Sequence, residues 1–158
     1  MGMDVMGINP INQEGETFRA NLWSWRPIHY LCEYLNVTHK LNFNTSRWGY
    51  NDGDGLNEKD CVRLAESIEK HIKNHSMLKE DTDRMYVCLG MWCSANSNQF
   101  ADIVKPHLIN VQYPNGTILY SSVVTKAGDV VVPAHSVTLG HLKRFVSFLK
   151  VCGGFEIF

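Results

Sequence analysis

Residues 18–27 read Phe18-Arg19-Ala20-Asn21-Leu22-Trp23-Ser24-Trp25-Arg26-Pro27, which puts two of the four Trp within ten residues. These residue types have two chemical uses. The guanidinium forks of Arg19 and Arg26, with the Asn21 amide, suit a phosphate or carboxylate ligand. Trp23 and Trp25 supply large amphipathic rings, and Trp–Arg enrichment is typical of the residues that dominate protein interfaces. The competing use is structural. A Trp that fills a core corner needs no ligand, and Glu14 and Glu16 lie close enough in sequence to be ion-pair partners of Arg19.

Asn51-Asp52-Gly53-Asp54-Gly55 has the composition of a tight turn. It fails as a calcium loop. With Gly55 at the sixth position, Tyr50 and Cys61 fall where the first and last carboxylate ligands belong. His71 and His75 are four apart, so on a helix they share a face, which is metal-ligand spacing. Cys88 and Cys93 are the cysteines that would complete a tetrahedral zinc set. No Glu follows His71, so a metalloprotease motif is absent, and two helix-terminal His are also favoured by the dipole alone. There is no Gly-x-Ser-x-Gly, no phosphate-binding loop and no dinucleotide fingerprint. The sequence therefore predicts no cofactor and names no catalytic residue.

The composition is that of one globular domain spanning 1–158: 158 residues, 44% hydrophobic and 20% charged. The net charge of −1 gives no bulk attraction for nucleic acid. No run reaches the roughly 20 apolar residues of a membrane span, and the N-terminus lacks the basic-then-apolar order of a secretory signal. Five loosely spaced cysteines then read as reduced thiols of a cytoplasmic protein, with Cys32, Cys61 and Cys152 at apolar helix positions.

The elements that must position these residues follow from periodicity. A first strand is predicted over 3–8, stopped by Asn9-Pro10, and a helix over 26–36 with Pro27 in its first turn. Asn57 and Asp60 form a capping pair for a helix over 58–74, where Cys61, Leu64, Ala65, Ile68 and Ile72 make one stripe. Met85–Met91 is open between strand and helix, and a short helix is predicted over 98–104. Strands are predicted over 108–113 and 117–124, flanking Pro114-Asn115-Gly116, and over 130–132. A last helix begins after His135 with Ser136 as cap, ends at Gly153-Gly154, and leads into a strand over 155–158. The expected fold is α+β, an antiparallel sheet with two or three helices packed on one face.

Four ordered segments carry a resemblance. They are Gly2-Met3-Asp4-Val5-x-Gly7-x-Asn9-Pro10, then Gly15-Glu16-x-Phe18-Arg19-x-Asn21-x-Trp23-x-Trp25-Arg26-Pro27, then Asn51-Asp52-Gly53-x-Gly55-Leu56, then Phe148-Leu149-x-x-Cys152-Gly153-Gly154-Phe155-Glu156-Ile157. Together they resemble a family of small uncharacterised proteins from bacteriophages and bacteria. The resemblance covers about a third of the chain. It implies an intracellular, phage-associated setting and no established activity. Some relatives carry a zinc-knuckle insertion that this chain lacks. The expectation is a non-enzymatic binding or counter-defence protein that docks on a host protein through Arg19, Asn21, Trp23, Trp25, Arg26, Asn51 and Asp52. The alternative is a small enzyme or ligand-binding domain that takes an anion on Arg19, Asn21 and Arg26. A further alternative is a metal-binding protein. The four segments are also expected to meet in space, with the first and last strands adjacent and Asp4, Asn9, Arg19, Asn21, Arg26, Asn51, Asp52 and Glu156 in one polar network.

Overall fold

Alternation of apolar and polar side chains builds the main sheet. In β1 (Gly2–Gly7) Met3 and Val5 are buried. In β2 (Thr17–Asn21) Phe18 and Ala20 are buried while Thr17, Arg19 and Asn21 are exposed. This period-two pattern gives each strand one face for the core and one for water. The computed structural model describes residues 2–74, 80–82, 84–88, 123–124, 130–132 and 134–158. Along these the order continues with α1 (Leu22–Thr38), β3 (Gly55–Asn57), α2 (Glu58–Asn74), β4 (Arg84–Cys88), β5 (Val123–Val124), β6 (Val130–Val132), β7 (Ala134–Thr138), α3 (Leu139–Val151) and β8 (Gly154–Ile157).

The main sheet has the order β2-β1-β8-β3 and is antiparallel throughout. Val5 stands opposite Ile157, and Leu56 opposite Phe155, so one face carries a continuous apolar surface. The three described helices and this face share one hydrophobic cluster, which includes Ile28, Leu31 and Leu35 of α1, Leu64 and Ile68 of α2, and Leu142, Phe145 and Leu149 of α3. The fold is α+β. Two further antiparallel pairs, β4 with β7 and β5 with β6, complete the described strands.

Two predicted helix starts move, and one strand is added ahead of the first helix. The first helix starts at Leu22, not near Arg26. Asn21 caps it by accepting from the Ser24 N–H at 2.8 Å, so Pro27 lies inside the helix, where it has no N–H to donate. Residues 17–21 form an edge strand, and the Phe18/Ala20 alternation is the signal for it. The last helix is capped by Thr138, whose hydroxyl accepts from the His141 N–H at 3.2 Å. Ser136 instead belongs to β7. The helix over 58–74 stands as predicted. Asn57 accepts from the Asp60 N–H at 2.9 Å, and its amide donates to the Asp60 carboxylate at 3.0 Å. The helix expected over 98–104 lies outside the described residues, as does the hairpin expected over 108–124 apart from Val123–Val124 of β5.

The turn from α3 into β8 depends on backbone that side chains oppose. Gly153 has φ +65°, and a Cβ there would stand 2.2 Å from the Asn9 carbonyl oxygen. Gly153→Ala is therefore expected to lower unfolding free energy by about 1–3 kcal/mol. Gly49→Ala, where a Cβ meets nothing within 4 Å, serves as the control and should stay within about 0.5 kcal/mol of the parent. Urea unfolding of both variants is the check; equal stabilities would contradict the steric account.

Candidate functional site

The Trp–Arg strip divides between core and surface, because the strand-to-helix switch at Asn21 changes the side-chain period from two to 3.6. Trp25 is fully buried, and its indole N–H donates to the Trp48 carbonyl at 2.7 Å. Its ring meets Phe145 edge-on at 5.9 Å and Trp48 at 6.2 Å. This is a packing role, and it removes Trp25 from the recognition surface. Trp23 is 66% exposed, with the Arg26 guanidinium over its ring at 5.7 Å. Farther along the outer side of α1 come Tyr34 and Val37, the latter 79% exposed. Burial pushes the Tyr30 phenol up, and Arg26 partly opposes this, which places that cation within reach of the next turn.

Arg19 does not pair with Glu14 or Glu16. It stands directly opposite Asp4 in the β1–β2 register, and its Nε donates to the Asp4 carboxylate at 2.9 Å on the solvent face of the sheet. Arg19 and Arg144 line a cavity of about 340 Å³ with Glu14, Thr17, Phe18 and Phe148. Neither Asn21 nor Arg26 lines it. Asn21 is occupied as the α1 cap. The three residues expected to share an anion thus have separate jobs.

Asn51 and Asp52 sit where the bend meets the chain ends. The Asn51 amide reaches the Gly2 carbonyl at 3.4 Å, and Asp52 pairs with Arg47. The Arg47 guanidinium also lies over Tyr50 at 5.6 Å, and Tyr50 is 62% exposed. The Trp48 carbonyl and Asn51 tie this loop to Trp25 of α1 and to the start of β1. Arg47, Tyr50 and Arg144 were not among the residues singled out from sequence. The signal for the first two was available, since Arg47-Trp48-Gly49-Tyr50 repeats the composition of the first strip.

The expected meeting of the four segments is observed. β1 pairs with β8, Gly53 N donates to the Ile157 carbonyl at 2.8 Å, and Asp4 and Phe158 exchange backbone bonds of 2.9 and 2.8 Å. The polar side chains form separate pairs and caps, not one network. Among the metal candidates, His71 is buried on α2 with its ring against Tyr34 at 6.2 Å. His75 and Cys93 lie outside the described residues, and of Cys88 only the backbone, in β4, is described. Among the described residues no group of three His, Cys, Asp or Glu is placed to hold a metal, and no helix is long and apolar enough to cross a membrane.

Behind two of the lining residues, His141 packs on Phe18 at 4.9 Å, and its Nδ1 accepts from Arg144 at 2.8 Å. Only an imidazole with an unprotonated Nδ1 can accept that bond. Burial, and then the Arg144 charge, hold the His141 pKa below the ordinary 6.5. No family model, curated protein or solved structure matches this chain.

Two outcomes follow. Trp25→Ala should cost about 3–5 kcal/mol and Trp23→Ala less than about 0.5 kcal/mol in chemical unfolding; similar costs would contradict the division between core and surface. The unfolded chain takes up the His141 proton more readily than the folded one. The contribution of neutral His141 is therefore complete above pH 6.5 and is lost as pH falls below it. Stability measured from pH 7.5 down to 5 should fall less steeply in His141→Gln than in the parent; identical slopes would contradict the assignment.

Proposed function

We propose that this chain is a non-enzymatic binding protein of phage-associated setting that docks on a host-cell protein through the outer side of α1. The observation that carries the reading is Trp23. A Trp 66% exposed, under an Arg, on a helix whose other side is core leaves a large apolar ring in water, and such rings with Arg are the usual anchors of interfaces. Val37 and Tyr34 extend the apolar character along the same side of α1. Arg26 selects a partner surface that presents a carboxylate beside an apolar pocket. The resemblance to phage and bacterial proteins supports the cellular setting. The absence of catalytic motifs from the sequence is consistent with this reading.

The Arg19–Arg144 cavity favours a second reading, an anion-binding domain for a phosphate or carboxylate ligand. Two guanidiniums, set against the single Glu14 carboxylate, give the cation excess, and Phe18 and Phe148 the apolar wall.

Affinity capture from bacterial extract with the folded chain as bait tests the first reading. One protein should be retained by the parent and reduced at least about tenfold by Trp23→Ala and by Arg26→Glu, with melting temperatures unchanged. Retention by both variants, or no specific capture, overturns it. Thermal shift with inorganic phosphate and citrate addresses the second reading; a rise abolished by Arg144→Gln supports it, and no rise for either anion removes it.

A further inference from the structure

One edge of the main sheet keeps backbone groups for a further strand. β2 is the outer strand on its side of the order β2-β1-β8-β3. The direction of its free groups follows from the neighbouring bonds. Asp4 donates to the Phe158 carbonyl at 2.9 Å and accepts from the Phe158 N–H at 2.8 Å, so both of its backbone groups point to β8. Arg19 stands opposite Asp4, and this wide pair of the antiparallel ladder turns the Arg19 backbone away from β1. By the same alternation Thr17 turns outward, whereas Glu16 bonds inward, its carbonyl accepting from the Gly7 N–H at 2.9 Å. Among the described residues the outward N–H and C=O groups of Thr17 and Arg19 have no partner. The usual devices that blunt an edge are not used here: Thr17–Asn21 holds no Pro and no Lys, and its register with β1 runs without a bulge. Its Arg is held inward by the bond of Arg19 Nε to Asp4 on the next strand. The cavity of about 340 Å³ runs along this edge. Thr17, Phe18 and Arg19 all line it. Successive side chains point to opposite faces of a sheet, so a space bounded by all three passes the backbone, on the side away from β1. Arg144 and Phe148 of α3 form its far wall. Arg144 is exposed and bonds to His141, and no carboxylate among the described residues pairs with it.

We propose that the β2 edge and this cavity together take an extended peptide segment of another protein, added as a further strand, with an acidic side chain directed to Arg144. Backbone bonds to Thr17 and Arg19 give affinity, and side chains at alternate positions give specificity. The peptide residue opposite Phe18 shares that face of the sheet, so its side chain meets Phe18 and Phe148 and is apolar. A residue two positions away lies on the same face, roughly 7 Å along, and a carboxylate there meets the cation of the α3 wall. The residues between stand opposite Thr17 or Arg19 on the solvent face and are polar. Charge selects this occupant over a second copy of the chain, because a second β2 edge brings another Arg144 to the same groove and like charges repel. The peptide uses the cavity of the anion-binding reading and rests on it for the role of Arg144; the docking surface on α1 is not involved.

The test selects peptides from a random heptapeptide display library on the folded, full chain and measures binding of the recovered sequences as synthetic peptides. Expected are sequences with an acidic residue two positions from an apolar one, and binding weakened at least about tenfold by Arg144→Glu. N-methylation of the residues flanking the apolar one removes backbone donors and leaves the side chains in place, and should weaken binding by a similar factor. The Thr17 and Arg19 amides should exchange rapidly in the free chain and slow at least about tenfold when the peptide is bound. Equal binding of methylated and unmethylated peptides, selected sequences without an acidic residue, or unchanged exchange at Thr17 and Arg19 would overturn the proposal. So would a dimer of the free chain that itself protects these amides. A chain stabilised by phosphate or citrate that selects no such peptide keeps the anion-binding reading and loses this one. The methylated peptide on the parent chain decides between them if Arg144→Glu fails to fold.

Discussion

The pairing of the first and last strands is the constraint on which the rest of this structure depends. β8 lies between β1 and β3, so its backbone groups are satisfied on both sides only when residues from both chain ends and from the bend are in place. The bend contributes directly. Gly53 donates to Ile157 at 2.8 Å, and Ile157 donates to the Asp54 carbonyl at 2.9 Å. A four-stranded sheet closed in this way cannot form piecemeal from neighbouring segments. Most of its contacts join residues far apart in sequence, which favours a cooperative fold over a set of independent hairpins.

An aromatic core stands on this sheet. Phe18 meets Phe145 at 5.0 Å, Phe145 meets Trp25, Trp25 meets Trp48, Trp48 meets Phe155 at 5.3 Å, Phe155 meets Phe148 at 6.2 Å, and Phe148 returns to Phe18 at 6.0 Å. The circuit joins β2, α3, α1, the loop after α1 and β8. Offset and edge-on ring contacts add to the burial term, and the Trp25 N–H bond fixes the loop relative to the helix. The circuit explains why the strip is so costly in composition. Half of it closes the core, and the helical twist turns the other half outward. The same rigid corner then displays Trp23 and Arg26, which lowers the conformational cost of docking on them.

Legibility from sequence followed the strength of the local signal. The helix over 58–74 was readable to its ends because a cap, an apolar stripe and a charged face agree there. The adjacency of the terminal strands was inferred from the four segments and is observed. The start of the first helix was misplaced because Pro27 is a strong first-turn marker, whereas here the Asn21 cap wins four residues earlier. β2 was missed because the same residues carry a two-residue alternation hidden under their unusual composition. The division between Trp23 and Trp25 was not readable at all. It depends on which side of α1 the sheet covers, a tertiary fact that no window of sequence contains. Arg19 shows the same limit, since its partner Asp4 is fixed by register and Glu14 and Glu16 only by proximity in sequence.

Native-state hydrogen exchange tests the central claim most directly. The amides of Asp4, Gly53, Ile157 and Phe158, each bonded across the closure, should exchange in the same slow class as Leu64 and Ile68 in the middle of α2, because they open only with the whole domain. Rapid exchange of these four amides while α2 stays protected would show that the chain ends fray independently, and would contradict an account in which their pairing holds the structure together.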